Sequence, residues 1–190
     1  RNVALKENAT QSSTHNFRDI RNSADKAVDG NTDQNFGRSS CTHTAIYVNK
    51  DGHIPTWTLR FSRQRSVHRY VIYNRADNCI RRIMGFKLES FDALNRSVFV
   101  YRDSSPNPKS IYTISHQPLD IGMIVVSITN SDLVLTLCEV EVYGDSVCDA
   151  WHYARDCELE CYCPYGDACF VGTGWCPNCP AGFFGLRCLS

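Results

Sequence analysis

The placement of cysteine constrains this chain more than any other feature. Of eleven cysteines, eight stand at 148, 157, 161, 163, 169, 176, 179 and 188, while the rest of the 190 residues hold only Cys41, Cys79 and Cys138. A segment so short and so rich in cysteine buries too little apolar surface to fold unaided. It needs cross-links, and disulfides persist only in oxidising surroundings. Zinc is the competing cross-link, because Cys161-Tyr-Cys163 and Cys176-Pro-Asn-Cys179 have the spacing of ligand knuckles. The even count and the recurring C-x8-C spacing favour disulfides, and with them an extracellular protein, secreted or part of a receptor ectodomain. Two sequons, Asn8-Ala-Thr10 and Asn95-Arg-Ser97, are candidate glycosylation sites on a secretory route. The chain opens on Arg1-Asn-Val-Ala with no leader pattern, so a secreted form is expected to have lost that segment already.

Several classes are excluded early. Twenty Lys and Arg balance twenty Asp and Glu, which leaves no net field to draw in nucleic acid. No apolar run approaches the ~20 residues that span a bilayer, so direct membrane insertion is not expected of this fragment. No nucleophile elbow, paired-acid motif or catalytic metal motif occurs, and an enzyme is not expected.

Residues 1–145 read as one domain and 146–190 as a second. From Thr56 onward short alternating apolar segments are separated by turn-formers, which is the strand signature. Strands are expected at Thr56–Phe61, Val67–Asn74, Gly85–Phe91, Ser97–Arg102, Ile111–Ser115, Gly122–Thr129 and Leu133–Tyr143. So many short strands without helical crossovers pair antiparallel, giving an all-β fold and a β-sandwich of jelly-roll type. In the last strand Cys138, Val140 and Val142 share the core face, with Glu139 and Glu141 on the other. Residues 1–55 are rich in turn-formers. Asp29-Gly-Asn31 with Asp33 reads either as solvated loop or as an oxygen-rich site for a hard cation such as Ca²⁺.

Five segments in order, Asn2-Val-Ala-Leu with Ala9-Thr-Gln-Ser-Ser13, Ala27-Val-Asp-Gly-Asn31, Cys41-Thr-His43, Asn74-Arg-Ala-Asp77 and Leu137-Cys-Glu-Val-Glu-Val142, resemble the F-type lectins, the fucolectin and tachylectin family. The resemblance runs from Asn2 to about Gly144 and implies a jelly roll, discoidin-like in architecture, with a structural Ca²⁺ and a shallow fucose site on loops at one end. Its sugar motif implies His43, Arg75, Asp77 and Arg82 as binding residues, with Phe36 as an apolar wall for the fucose methyl. Arginine offers five donors in a rigid fork and histidine is expected to add another, while Asp77 holds an arginine in place. The bland counterpart is a surface ion pair between Arg75 and Asp77 and a loop histidine. Arg75 is expected in a loop away from the core, so that its removal spares the fold. Between His43 and Arg75 lie 31 residues, more than the motif has, and the surplus falls in Ala45–Thr56, an enlarged loop beside the site.

Where several family members have two adjacent cysteines forming a floor for the sugar, this chain has Asn78-Cys79. Cys79 is left as the odd thiol, buried, capped or open to a second chain. The resemblance further implies that Asp29, Asn31, Ser40 and Glu139, with the main-chain carbonyls of Lys26 and Cys138, hold the Ca²⁺, and that Cys41 is joined to Cys138.

The tail ends in Cys179-Pro-Ala-Gly-Phe-Phe-Gly-Leu-Arg-Cys188, which resembles the close of an EGF-like module. Six cysteines allow fifteen pairings. The resemblance implies Cys161–Cys169, Cys163–Cys176 and Cys179–Cys188, with Cys148–Cys157 closing a truncated preceding repeat, as in the arrays of multiple-EGF receptors. The function expected is recognition of a fucosylated glycan or glycoprotein. The alternative is a lectin fold turned protein-binding adhesion or signalling head, its sugar site given up through the enlarged loop and the missing cysteine pair. A discoidin-like lipid-binding domain ranks third, since no basic and aromatic spikes are evident.

Overall fold

The computed structural model describes residues 1–17, 20–46, 53–129, 133–182 and 188. It divides into two compact units, Arg1–Gly144 and Asp145–Ser190.

The first unit is an all-β sandwich. Its strands are β1 (Asn8–Gln11), β2 (Asn16–Phe17), β3 (Ile20–Arg21), β4 (Thr56–Tyr73), β5 (Lys87–Phe91), β6 (Ser97–Arg102), β7 (Ile111–Ser127) and β8 (Glu139–Ser146). The order β1-β4-β7-β5-β6 is continuous, β8 also pairs with β4, and β2–β3 form a separate ribbon. The β1–β4, β4–β7, β7–β5 and β5–β6 pairings are antiparallel.

Two expected strand pairs are single long strands. Thr56–Phe61 and Val67–Asn74 fuse into β4, and Ile111–Ser115 and Gly122–Thr129 into β7, with the β4–β7 register slipping between Arg60 and Arg65 and again between Val67 and Arg69. The second slip shows in the burial pattern. Trp57, Leu59, Phe61 and Val67 are buried at odd positions, and Tyr70 and Ile72 at even ones. An unequal residue count at a bulge exchanges the two faces, and so returns Tyr70 to the core. Opposite it, Leu119 pairs with Val67 and Ser115 with Arg69, so Pro118, which has no N–H to give, sits in the irregular stretch.

The core gathers Trp57, Leu59, Tyr70, Ile72, Phe86, Leu88, Ile124, Leu137, Val140 and Val142. Its polar atoms are paired: Trp57 Nε1 donates to the Ala24 carbonyl at 3.0 Å, and the Tyr70 and Ser90 hydroxyls lie 2.8 Å apart. Gly144 is required at its position, since a Cβ there would stand 2.4 Å from the Ser66 carbonyl oxygen. The expected strand Leu133–Tyr143 begins only at Glu139. Its first part is buried but irregular, because Leu135 N–H and Leu137 N–H donate to the hydroxyls of Thr44 and Thr42 at 2.9 and 3.0 Å. The same two threonines return main-chain bonds, Thr42 N–H to Leu137 O at 2.7 Å and Thr44 N–H to Leu135 O at 3.0 Å, so hydroxyls take only the accepting half of a neighbouring strand's role.

In the second unit β9 (His152–Tyr153) pairs with β10 (Leu159–Glu160) around Cys161, Cys163, Cys169, Cys176 and Cys188, all buried. Disulfides join Cys148–Cys157, Cys161–Cys169, Cys163–Cys176 and Cys179–Cys188. The aromatic and second glycine of the expected EGF-like ending, Phe183 and Gly185, lie outside the described residues. Among the described residues no helix is long and apolar enough to cross a membrane.

Candidate functional site

His43 is placed by main-chain bonds on both sides. Its N–H donates to Asn22 O at 3.1 Å, and its carbonyl accepts from His15 N–H at 2.8 Å and from Gln11 Nε2 at 3.3 Å. The residue is buried, with 2% exposure. Its Nδ1 lies 2.6 Å from Thr44 O and its Nε2 lies 2.9 Å from Arg82 Nη1. A carbonyl can only accept and a guanidinium can only donate, so Nδ1 carries the proton and Nε2 is the acceptor. Burial pushes this imidazole down to about 4, with the positive charges of Arg82 and Arg75 adding to it against the opposing bond to Thr44. The expectation that His43 adds a donor is therefore corrected: the neutral ring presents a lone pair.

Arg75 follows β4, where Asn74 Nδ2 fastens the turn by donating to Ile80 O and Lys109 O at 2.8 and 3.0 Å. Its Nε and Nη2 donate to Asp77 Oδ1 and Oδ2 at 2.9 and 2.8 Å, and its guanidinium carbon lies 4.2 Å from the Phe36 ring centroid. Burial alone would raise the Asp77 carboxyl, but the Arg75 fork and the Cys79 N–H hold it below the ordinary carboxylate range. Arg75 is only 6% exposed. It is no loose loop arginine, and the expectation that it stands away from the buried interior is corrected.

Phe36 opens a 3-10 turn, Phe36–Arg38, capped by Asn35 Oδ1 accepting from Gly37 N–H at 2.9 Å. Its ring lies 5.4 Å from that of His43, so it packs between imidazole and guanidinium. Arg82 comes from a second 3-10 turn, Ile80–Ile83. His43, Arg75, Asp77, Arg82 and Phe36 are thus brought into one cluster. His15 belongs to it as well, its ring 4.6 Å from His43. Nothing around Thr14-His15-Asn16 singles that residue out in the sequence, because the contact comes from the main-chain bond to His43. The enlarged loop Ala45–Thr56 is tied down where it leaves and returns, Ala45 N–H donating to Ser13 Oγ at 3.0 Å and Thr56 N–H to Ser12 Oγ at 3.1 Å. Its residues 47–52 lie outside the described residues. Cys79 is a half-buried free thiol.

A second cluster surrounds Glu139. Although it alternates with Cys138 and Val140 along the chain, Glu139 is fully buried, with Asp29 and Gly30 beside it. Oε1 accepts from Gly30 N–H at 3.2 Å, while Oε2 is buried with no hydrogen-bond partner. Burial, and then the Asp29 charge, raise this carboxyl to about 7. Gly30 makes the turn at φ +90°. From there Asp29 accepts from Asn31 N–H and Asn31 from Asp33 N–H, at 2.8 and 3.1 Å. Lys26 Nζ donates to Ser39 O, Ser40 Oγ donates to Asn35 O at 2.9 Å, and the Cys41–Cys138 disulfide fixes this segment to the start of β8. An unpartnered carboxylate oxygen beside a second carboxylate is what a hard divalent cation relieves. Among the described residues no group of three His, Cys, Asp or Glu could hold a metal, so amide, hydroxyl and main-chain oxygens would have to complete such a shell.

Asn8 and Asn95 are both exposed, Asn8 on β1 and Asn95 in the turn between β5 and β6 at φ 58°.

The family described as NedA-like, galactose-binding domain matches residues 26–122. Fucolectin of Anguilla anguilla is 33% identical over 152 residues, covering 76% of this chain and 91% of that protein. A fucose binding module of Streptococcus pneumoniae superposes with a TM-score of 0.65 at 29% identity, over 75% of this chain and 97% of that one. The lectin domain of lectinolysin, solved with Lewis B antigen, superposes with a TM-score of 0.67 at 27% identity, over 77% and 98%.

Proposed function

The chain belongs to the F-type lectin family of fucolectins, and from that premise we propose that it binds the fucose of a glycan, neutral in charge, on a module stabilised by Ca²⁺. The observation that carries the reading is the fixed protonation pattern at one point: a neutral His43 Nε2 acceptor beside the donor-only guanidinium groups of Arg82 and Arg75. A sugar hydroxyl is donor and acceptor at once, so it can replace Arg82 Nη1 at Nε2, giving its proton there while receiving an N–H from the guanidinium it displaces. Phe36 supplies apolar surface for the fucose methyl, and the Asp77 fork keeps Arg75 from swinging away. Catalysis is not part of this reading, since nothing in the cluster is an activated nucleophile.

Ca²⁺ would be held by Glu139, Asp29, Asn31 and Ser40 with the carbonyls of Lys26 and Cys138. It supplies positive charge to two neighbouring carboxylates, and the orphaned Glu139 Oε2 supports its presence. The disulfide-bonded second unit serves as an EGF-like spacer in an extracellular protein, a receptor ectodomain by this reading. The alternative of a protein-binding head is favoured by one observation: His43 and Arg75 are almost wholly buried and already paired.

A glycan array with and without EDTA tests the assignment. Fucosylated glycans retained in calcium and lost in chelator support it. No fucosylated signal in either buffer, with a signal on an unglycosylated protein surface, transfers the assignment to the alternative.

A further inference from the structure

Four residues of β4, Phe61 to Gln64, oppose a single residue of β7: Arg60 pairs with Met123 and Arg65 with Ile121, which leaves only Gly122 between. Such an excess on one strand bulges outward. Glu7 holds the bulge, its carboxylate accepting from Ser62 N–H and Oγ at 3.1 and 3.2 Å. Beside it stands the turn that joins β5 to β6, braced from within. Asp92 Oδ1 accepts from the N–H groups of Leu94 and Arg96 at 2.8 and 2.9 Å, and Oδ2 from Arg96 Nε at 2.7 Å. The turn also rests closely on β7, since a Cβ on Gly122 would come within 3.3 Å of Asp92 O. Between bulge and turn runs a groove of about 270 Å³, lined by Arg60, Gln64, Ala93, Asn95, Gly122 and Met123 among others.

We propose that Asn95 carries an N-linked glycan whose first sugar, an N-acetylhexosamine, lies in this groove, an inference independent of the fucose reading. Asn95 opens the sequon Asn95-Arg-Ser97 and is exposed, and its side-chain amide has no hydrogen-bond partner among the described residues. The disulfides belong to the secretory route on which a lipid-linked oligosaccharide pyrophosphate is the sugar donor. Asn95 Nδ2 bonds to the anomeric carbon of the first sugar and gives up one proton, and the lipid pyrophosphate leaves with that proton. The groove is just smaller than the ~300–1,000 Å³ of ordinary ligand pockets, so it holds one pyranose ring and leaves the outer branches in solvent. Its lining suits an acetamido sugar. Met123 and Ala93 offer apolar surface to the acetyl methyl, and the Arg60 guanidinium, without an ion-pair partner among the described residues, can donate to the acetyl carbonyl. Gln64 Nε2 is spent on Asp120 O at 3.3 Å, which turns its carboxamide oxygen into an acceptor for a ring hydroxyl. A sugar seated there ties the bulge of β4 to the turn after β5, two strands that are not neighbours in the sheet.

The test is hydrogen exchange on the chain secreted from mannosidase-inhibited mammalian cells, with Asn8→Gln removing the other sequon. Three forms are compared: intact, trimmed by endoglycosidase H to the first sugar, and stripped by peptide N-glycosidase. Peptide mapping should find Asn95 occupied. Exchange over residues 60–64 and 92–96 should be equally slow in the intact and trimmed forms and about fivefold faster in the stripped one. Asn95→Asp has the covalent structure of the stripped form and should exchange as it does, which separates loss of the sugar from damage during digestion. The chain with Asn8 retained should give the same pattern at these two segments. An unoccupied Asn95 overturns the proposal. So does a trimmed form that exchanges as fast as the stripped one, or no difference among the three, and either result leaves the fucose reading untouched.

Discussion

His43 Nε2 accepts a hydrogen bond from Arg82 Nη1 at 2.9 Å while His43 Nδ1 donates to Thr44 O at 2.6 Å. Both ring nitrogens are thereby assigned, and protonation of Nε2 would set two cations against each other. With the folded imidazole at about 4 and ~6.5 unfolded, the folded state binds fewer protons between those values, so this group's stabilisation is present above pH ~6.5 and lost as pH falls through ~4, up to about 3 kcal/mol. Fucose affinity should accordingly be flat from pH 8 to about 5.5 and decline toward pH 4. Titrations across that range check it; a midpoint near 6.5 contradicts the assigned tautomer.

Arg75→Ala should abolish fucose binding and also lower stability, by about 1–3 kcal/mol, because Asp77 is left without its fork and Phe36 without its cover. Arg75→Lys should recover part of the stability and little of the binding, since an ammonium cannot make both bonds to Asp77. Denaturant midpoints and calorimetry on the two variants separate the effects. An unchanged midpoint for Arg75→Ala would show that the burial is without energetic weight.

On the calcium proposal, chelation should lower the melting temperature, since a cation held only by the folded arrangement of Asp29 and Glu139 would be lost on unfolding. Glu139→Gln removes one of the two facing charges. It should narrow the gap between melting curves in calcium and in chelator, chiefly by stabilising the chelated protein. Identical curves for the wild type in both buffers, with no calcium by elemental analysis, count against the ion.

Cys41 and Cys138 are 97 residues apart in sequence, and a disulfide closing a loop of that size contributes ~4–5 kcal/mol in the chain-entropy picture. Replacing both with Ala should therefore cost more than any other change in the first unit short of a core deletion. It should weaken calcium and fucose binding together. A non-reduced peptide map should return this bridge, the four of the tail, and Cys79 alone. A Cys79 peptide linked to either Cys41 or Cys138 rules out the pairing.

Gly144→Ala offers a test of the sandwich itself. The new methyl would meet the Ser66 backbone 2.4 Å away, and backbone inside a sheet cannot step aside as a side chain can, so a loss of ~1–3 kcal/mol is expected. A thermal melt equal to wild type would mean that the two strands are not packed this closely in solution.

What the sequence conveyed and what it withheld divide along physical lines. Period-two alternation located the strand residues, because burial on one face of a pleat writes itself directly into the chain. It could not show that Thr56–Phe61 and Val67–Asn74 are one strand, since the polar run from Ser62 to Ser66 looks like a break and is in fact the irregular stretch that lets β4 bend. Leu133–Cys138 alternates as a strand does, yet its hydrogen bonds go to Thr42 and Thr44, partners some ninety residues away that no local pattern reveals. The cluster of His43, Arg75, Asp77 and Arg82 was legible as a motif. Its tautomer, the burial of Arg75 and the presence of His15 were not, because each depends on which carbonyl or ring the fold sets beside it.

Gln11 is borne on a strand and yet holds the loop cluster by its amide, donating to Thr14 Oγ1, Asn22 O and His43 O. The two sides of this loop are also tied to each other, Asn22 N–H and Nδ2 both donating to His15 O at 3.3 and 3.0 Å. His43 consequently takes its bearings from the sheet and not from the composition of that loop. For protein engineering this makes Gln11 the residue to keep: substitutions elsewhere in the loops it joins leave the reading head in register so long as its amide bonds to Asn22 O and His43 O are preserved.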